Sequence, residues 1–220
     1  MDCDLTTVAR AIADPTRSAM LLRLMDGRRH TARELADASG VSPSAASPHL
    51  RRLVDAGLVS VHVMGRQRLH VLASPQVATA IEALAAVSPL LPVESLRTAH
   101  AGSRLQTARV CYSHLGGALA VSIARRLEAD GALDDLDHPL LAVLGIRDLS
   151  GFAGPRMRTC TDWTEQETHL AGRLGSALLA ALLDRDWLRR RPRDRALNIT
   201  DAGAAQLAAL GVAAVPAGNL

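Results

Sequence analysis

Lysine is missing from this chain of 220 residues, so every one of its 25 basic side chains other than histidine is an arginine. Aromatic residues are nearly missing too, at 2% against 48% hydrophobic, which leaves Leu, Ala and Val packing between helices as the only way to fill a core. Three cysteines cannot all pair within one chain, and their spacing suggests no disulfide framework, so a reducing cytosol is expected. No apolar stretch approaches the roughly 18 residues of a membrane span. The opening "MDCDLTTVARAIADPTR" carries acids and arginines where a secretory signal needs an apolar run, and a cytoplasmic location is expected. A Gly-rich phosphate loop, H-E-x-x-H and a nucleophile elbow are all absent, so the expectation is a protein without catalytic activity. The length allows one large domain or two small ones. A formal net charge of +3 permits nucleic-acid binding without requiring it.

What is present is well punctuated in the first third. Leu5, Val8 and Ile12 share one face of a short helix. Asp14 caps a second, with Pro15 at its first position, and Gly27 closes it. Thr31 and Glu34 form a T-x-x-E capping box for "ARELADAS", stopped by Gly40. Ser42 and Pro43 open a further helix that runs to Gly57. Two helices joined by "SGVSP" make a helix-turn-helix. In the "LVSVHVMGRQRLHVLA" that follows, Val61 and Val63 alternate with His62, and Leu69 and Val71 with Arg68 and His70. A loop at Gly65, Arg66 and Gln67 pairs Val63 with Leu69 and His62 with His70, giving one apolar and one basic face. A helix-turn-helix with a basic hairpin is a winged helix, whose helix from 43 to 56 would enter the major groove while the wing follows phosphates.

Ala46, Leu50, Leu53 and Val54 share the inner face of that helix by 3.6 periodicity. The candidate DNA contacts are Ser42, Ser44, Ala45, Ser47, His49, Arg51 and Arg52 on the helix, with Arg66, Gln67 and Arg68 on the wing. Small polar residues at the amino end can approach base edges, and the arginines can bind guanine or phosphate. The alternative is a winged helix used for protein contacts alone.

The run "TARELADASGVSPSAASPHLRRLVDAGLVSVHVMGRQRLHVLA" resembles the DNA-binding core of ArsR-type bacterial repressors, through its E-L-A helix, S-x-x-S-x-H-L reading helix, A-G-L-V and G-R-x-R wing. The resemblance covers about residues 5 to 87. It implies a homodimer formed through the first helix and "SPQVATAIEALAAV", an inverted-repeat operator in double-stranded DNA, and release by an effector. Two departures stand out. Pro48 lies inside the reading helix, at a cost of up to about 3 kcal/mol in a regular helix. The segments where metal-responsive relatives carry their ligands hold neither Cys nor His.

In the second half, "SPLLPVESLRTAHAGS" over residues 88 to 103 reads as a linker, and a long helix is expected from about 104 to 129. Thr164 and Glu167 would cap another helix running to about Arg185. "HLGGALAVSIARRLEADGAL" from His114 and "HLAGRLGSALLAALLDRDWL" from His169 match as one repeated helical unit. The run "WLRRRPRDRALNITDAG" then reads as a basic hairpin before a helix capped by Thr200, completing a second winged-helix-like unit without a reading helix. Its arginines 189, 190, 191, 193 and 195 offer phosphate contacts, a solvated turn, or a site for an acidic partner.

The expected organisation is mainly α with small β-hairpins: a winged helix-turn-helix over 1–87, a linker over 88–103, and a helical, winged-helix-like effector domain over 104–220. For the effector, Cys111 and His114 lie three apart on the expected helix and make half of a metal shell, which Cys160, Asp162 and His169 would complete if the repeated helices pack together. Three further readings stay open: a reversible Cys111–Cys160 disulfide, a pocket for a small organic effector, and plain packing.

Overall fold

The structure is a computed structural model, which describes residues 2–90, 92 and 95–213. Its contacts divide the chain into two units, residues 1–81 and 82–220. The first unit begins with α1 (Leu5–Ile12), capped by Asp4, and α2 (Pro15–Leu24), capped by Asp14, whose carboxylate accepts from the Arg17 backbone. The buried Arg17 guanidinium donates to the carbonyls of Arg10 and Ala11, satisfying the carboxyl end of α1. A short strand, β1 (His30–Thr31), leads into α3 (Ala32–Ala38), and the Thr31–Glu34 capping box is formed as expected. Ser42 caps α4 (Pro43–Asp55). Strands β2 (Val59–Met64) and β3 (Gln67–Leu72) form the wing, β1 adds to β3, and α5 (Pro75–Val87) follows.

Pro48 leaves α4 unbroken. The carbonyl deprived of its donor belongs to Ser44, which is exposed, so water can serve it. The wing departs from its expected register by one residue. Val63 pairs with Arg68 and Val61 with His70, across a two-residue turn at Gly65 and Arg66. Because side chains alternate with period two, this slip mixes the faces. His70 turns inward beside Leu72, its Nδ1 3.3 Å from the His30 carbonyl, while Val63 is exposed. Val54, assigned to the inner face of α4, is also exposed.

The second unit differs more from expectation. Helix α6 (Leu96–Thr107) occupies much of the segment read as a linker, of which residues 91, 93 and 94 lie outside the described residues. The long helix expected over 104–129 is instead the end of α6, a hairpin of β4 (Arg109–Cys111) and β5 (His114–Gly116), and α7 (Ala118–Ala129). Tyr112 adopts φ +59° in the tight turn between the strands, which no helix accommodates. After α8 (Pro139–Val143) the pattern recurs: β6 (Arg158–Thr161), β7 (Thr168–Ala171) and α9 (Gly172–Asp184). Thr164 and Glu167 therefore sit in a hairpin connection rather than at a helix start. The repeat is real, but its unit is a hairpin plus a helix.

Positions 55 apart play equal parts in it. Leu119, Ile123 and Leu127 of α7 and Leu174, Leu178 and Leu182 of α9 all enter one core, with Leu140, Leu141 and Leu144 beside them. Gly117 (φ +92°) and Gly172 (φ +70°) start the two helices; an added Cβ would lie 2.6 Å from the Gln106 carbonyl oxygen or 2.7 Å from that of Pro155. Strands β8 (Leu188–Arg190) and β9 (Leu197–Ile199) form the last hairpin, followed by α10 (Asp201–Ala209) with Thr200 as cap. The chain just before β9 also bonds to the edge of β4, with Val110 N donating to Arg195 O at 2.8 Å.

Candidate functional site

The candidate DNA contacts follow from the capping chemistry of α4. Ser42 spends its hydroxyl on the Ala45 backbone, which leaves Ser44, Ala45 and Ser47 exposed on the first turns. Arg51 and Arg52 are exposed one to two turns further on. His49 is half-buried, with Nδ1 3.3 Å from the Asp14 carboxylate, so its ring is already engaged inside the unit. Arg66, Gln67 and Arg68 are all exposed at the tip of the wing. The second arginine run is arranged differently: Arg189 pairs with Asp186, Arg191 with Asp194, and Arg195 is buried.

The second unit brings the candidate effector residues together. In each hairpin of the repeat a cysteine stands directly across from a histidine, Cys111 opposite His114 and Cys160 opposite His169. Cys160 is thus the structural counterpart of Cys111. Counting 55 residues on from Cys111 misses it, because two residues separate the first pair and eight the second. All four side chains are buried, and their donor atoms lie within 4.8 Å of one another. The two histidine Nε2 atoms are 3.1 Å apart. Tetrahedral coordination with metal–nitrogen bonds near 2.05 Å needs about 3.3 Å between two nitrogens, so the histidine pair is spaced for one ion.

Asp162 is not among the converging donors; it supports them. Its carboxylate is fully buried and accepts from Arg109 Nη2 at 2.8 Å, Gly117 N at 2.7 Å and Thr164 Oγ1 at 2.7 Å. It also lies 3.2 Å from His169 Nδ1, within ion-pair distance. Arg109, equally buried, rests its guanidinium 4.6 Å from the centre of the Trp163 ring. Burial opposes ionisation of Asp162, but His169, Arg109 and Thr164 outweigh it and hold the carboxyl well below the usual range.

The histidines titrate apart. Burial pushes His114 down, whereas in His169 the effect of burial is outweighed by Asp162 and Cys111, which raise it to about 9. The two Nε2 atoms lie within hydrogen-bond distance, with donor and acceptor set by the tautomers. His114 Nδ1 is buried and has no hydrogen-bond partner among the described residues. The thiols also differ. The hydrogen bond from Cys160 brings Cys111 well below its ordinary value, and the same pairing drives Cys160 upward.

One residue of the cluster was not anticipated. Glu82, on α5, places Oε1 3.0 Å from Cys111 Sγ and Oε2 3.0 Å from Cys160 Sγ. It is buried, and burial together with the charge of Cys111 raises its carboxyl to about 8. The available signal was that Glu82 is the sole charged residue in "PQVATAIEALAAV", where a solvated helix face would carry several.

Residues 14–61 match the family described as "Bacterial regulatory protein, arsR family". The uncharacterized HTH-type transcriptional regulator YdfF of Bacillus subtilis (strain 168) is 37% identical over 214 residues, spanning 92% of this chain and 95% of YdfF. A probable mercury resistance operon repressor of Streptomyces lividans is 39% identical over 69 residues, 31% of this chain and 54% of that protein. The NMR structure of the cadmium metal-sensor CMTR from Mycobacterium tuberculosis shares 35% identity and covers 41% of this chain and 94% of its own, with a TM-score of 0.35. With an arsR-type winged helix in its first unit and a relative matched along nearly its whole length, this chain belongs to the ArsR family of bacterial DNA-binding transcriptional regulators.

Proposed function

We propose that this protein is a homodimeric repressor that binds an inverted-repeat operator through α4 and the wing, and that a thiophilic divalent ion at Cys111, His114, Cys160 and His169 releases it. The observation that carries the effector reading is the convergence of four buried donors from two equivalent hairpins within 4.8 Å. Two thiolates and two imidazoles suit zinc, cadmium or another borderline-to-soft ion, and a bound ion would draw both thiol protons off. The Asp162 carboxylate, 3.2 Å from His169 Nδ1, supports the ring on the side away from Nε2. The relative whose name mentions mercury resistance supports a metal effector.

The dimer reading is supported by unpartnered apolar side chains on the two helices that the family uses for pairing. Leu5 of α1 is 72% exposed, and Leu84 and Val87 of α5 are 47% and 81% exposed. At the DNA, Arg51, Arg52, Arg66 and Arg68 supply phosphate or guanine contacts, and Ser44, Ala45, Ser47 and Gln67 lie where base edges would pass.

A second reading rests on the nearness of the two sulfurs: a peroxide oxidises Cys111 and Cys160 to a disulfide, two thiols yielding one S–S bond and the peroxide two waters. Elemental analysis of reduced protein after zinc loading and dialysis separates the two. One zinc per chain, lost in Cys111→Ser plus Cys160→Ser, supports the ion. A metal-free protein whose operator binding responds to peroxide overturns it.

A further inference from the structure

We infer that Glu82 is the positioning residue that transmits occupancy of the cluster to helix α5; the inference rests on the metal reading above. Glu82 is the only described carboxylate that touches the sulfurs, and it touches both, one oxygen to each at 3.0 Å. At that distance a sulfur and a carboxyl oxygen must share a proton. With the cluster empty, the thiols can supply it, Cys111 Sγ donating to Oε1 and Cys160 Sγ to Oε2.

When both sulfurs serve as thiolate ligands, the arrangement fails. A carboxylate has no proton to donate, and a carboxylic acid has one. At most one of the two contacts survives, and the other becomes an approach of two electron-rich atoms in a buried setting, where such contacts are costly. Glu82 must therefore move relative to at least one sulfur. The sulfurs are fixed on paired strands, Cys111 by β5 and Cys160 by β7, so the displacement falls on the carboxyl and the helix bearing it. Helix α5 is continuous from Pro75 to Val87 and presents Leu84 and Val87, the exposed side chains assigned above to the dimer, within five residues of Glu82. A shift at Glu82 thus alters the surface that sets the two reading helices against each other. Glu82 is then no ligand: it reports whether the ligands are occupied.

The test uses the full-length chain with Glu82→Gln, and Glu82→Leu as a second variant without any hydrogen-bonding group. Three readouts are taken: zinc per chain by elemental analysis, the absorption of the cobalt-loaded protein, and operator affinity with and without zinc. Both variants are expected to bind one ion with the thiolate-to-cobalt band of the wild type. The ratio of operator affinities without and with zinc, on the order of tenfold or more in the wild type, is expected to fall below about twofold in Glu82→Leu, with Glu82→Gln between. A wild-type ratio in both variants overturns the inference. So does a changed cobalt spectrum or lost zinc in both variants, which would make Glu82 a ligand. Absence of zinc from the wild-type protein itself overturns the metal reading first, and is distinguishable because it does not depend on residue 82.

Discussion

Replacing Asp162 by Asn keeps the shape of the side chain and removes its charge, and the surroundings set the consequence. Both Asp162 and Arg109 are fully buried. Among the described residues, the other partners of the Arg109 head are the Leu105 carbonyl at 3.0 Å, the Thr164 hydroxyl at 3.2 Å and the Trp163 ring, all neutral. The Asn amide would also point two hydrogens at Gly117 N or at the Thr164 and Arg109 donors, whichever way it is turned. Stranding one member of a buried ion pair costs about 3–5 kcal/mol, against a total stability of about 5–15 kcal/mol for a typical domain. Urea unfolding followed by tryptophan fluorescence measures it cleanly, because Trp163 and Trp187 both belong to the second unit and the first contains no tryptophan. Asp162→Asn is expected to lose about 3 kcal/mol or more, and the double variant with Arg109→Met less than the sum of the two singles. The folded carboxyl titrates below its ordinary 3.8, so the contribution is complete above that pH and fades as pH falls further. A loss below about 1 kcal/mol, or strict additivity, would refute the assignment of this pair as the unit's buried electrostatic anchor.

Three other outcomes follow from the same structure. Gly117→Ala and Gly172→Ala each put a Cβ into a carbonyl at positive φ, and each is expected to cost the second unit about 2 kcal/mol or more in the same urea assay. For metal-free protein, Glu82 is raised from 4.5 to about 8, so wild type loses stability relative to Glu82→Gln as pH rises through that window, by at most about 1.4 kcal/mol per pH unit; a constant gap between pH 5 and 8 would contradict the buried protonated carboxyl. Arg51→Ala plus Arg66→Ala is expected to weaken operator binding and to flatten the plot of log affinity against log salt by about 0.9 for each phosphate no longer neutralised. An unchanged slope in a fluorescence-anisotropy titration would remove these arginines from the interface.

The first unit was legible in the sequence because its boundaries are local chemistry. Asp14 with Pro15, Thr31 with Glu34, and Ser42 with Pro43 each mark a helix start that needs no tertiary context. The wing register differs by one residue from expectation because a two-residue turn and a three-residue loop use the same glycine. In the second unit, Leu105, Leu115, Leu119, Ile123 and Leu127 are spaced as on a single helix, and strands of three residues leave no alternation to oppose that reading. The positive φ of Tyr112, which breaks the helix, has no signature in the residue type. Even so, the side chains proposed for the ion, Cys111, His114, Cys160 and His169, were recognisable by their chemistry, although the reason for their meeting was not. Two facing hairpins bring them together, where two crossing helices were expected. Glu82 escaped notice because an acid on a helix ordinarily faces water.

The central claim is that an ion at the four-donor cluster controls DNA binding. The direct measurement is the affinity of the reduced, full-length protein for its own upstream DNA, by fluorescence anisotropy with and without one equivalent of zinc or cadmium, beside Cys111→Ser plus Cys160→Ser. One ion per chain is predicted to weaken binding by about tenfold or more in the wild type and to leave the double variant unaffected. Equal affinity with and without the ion in the wild type, or an equal response in the double variant, would contradict it.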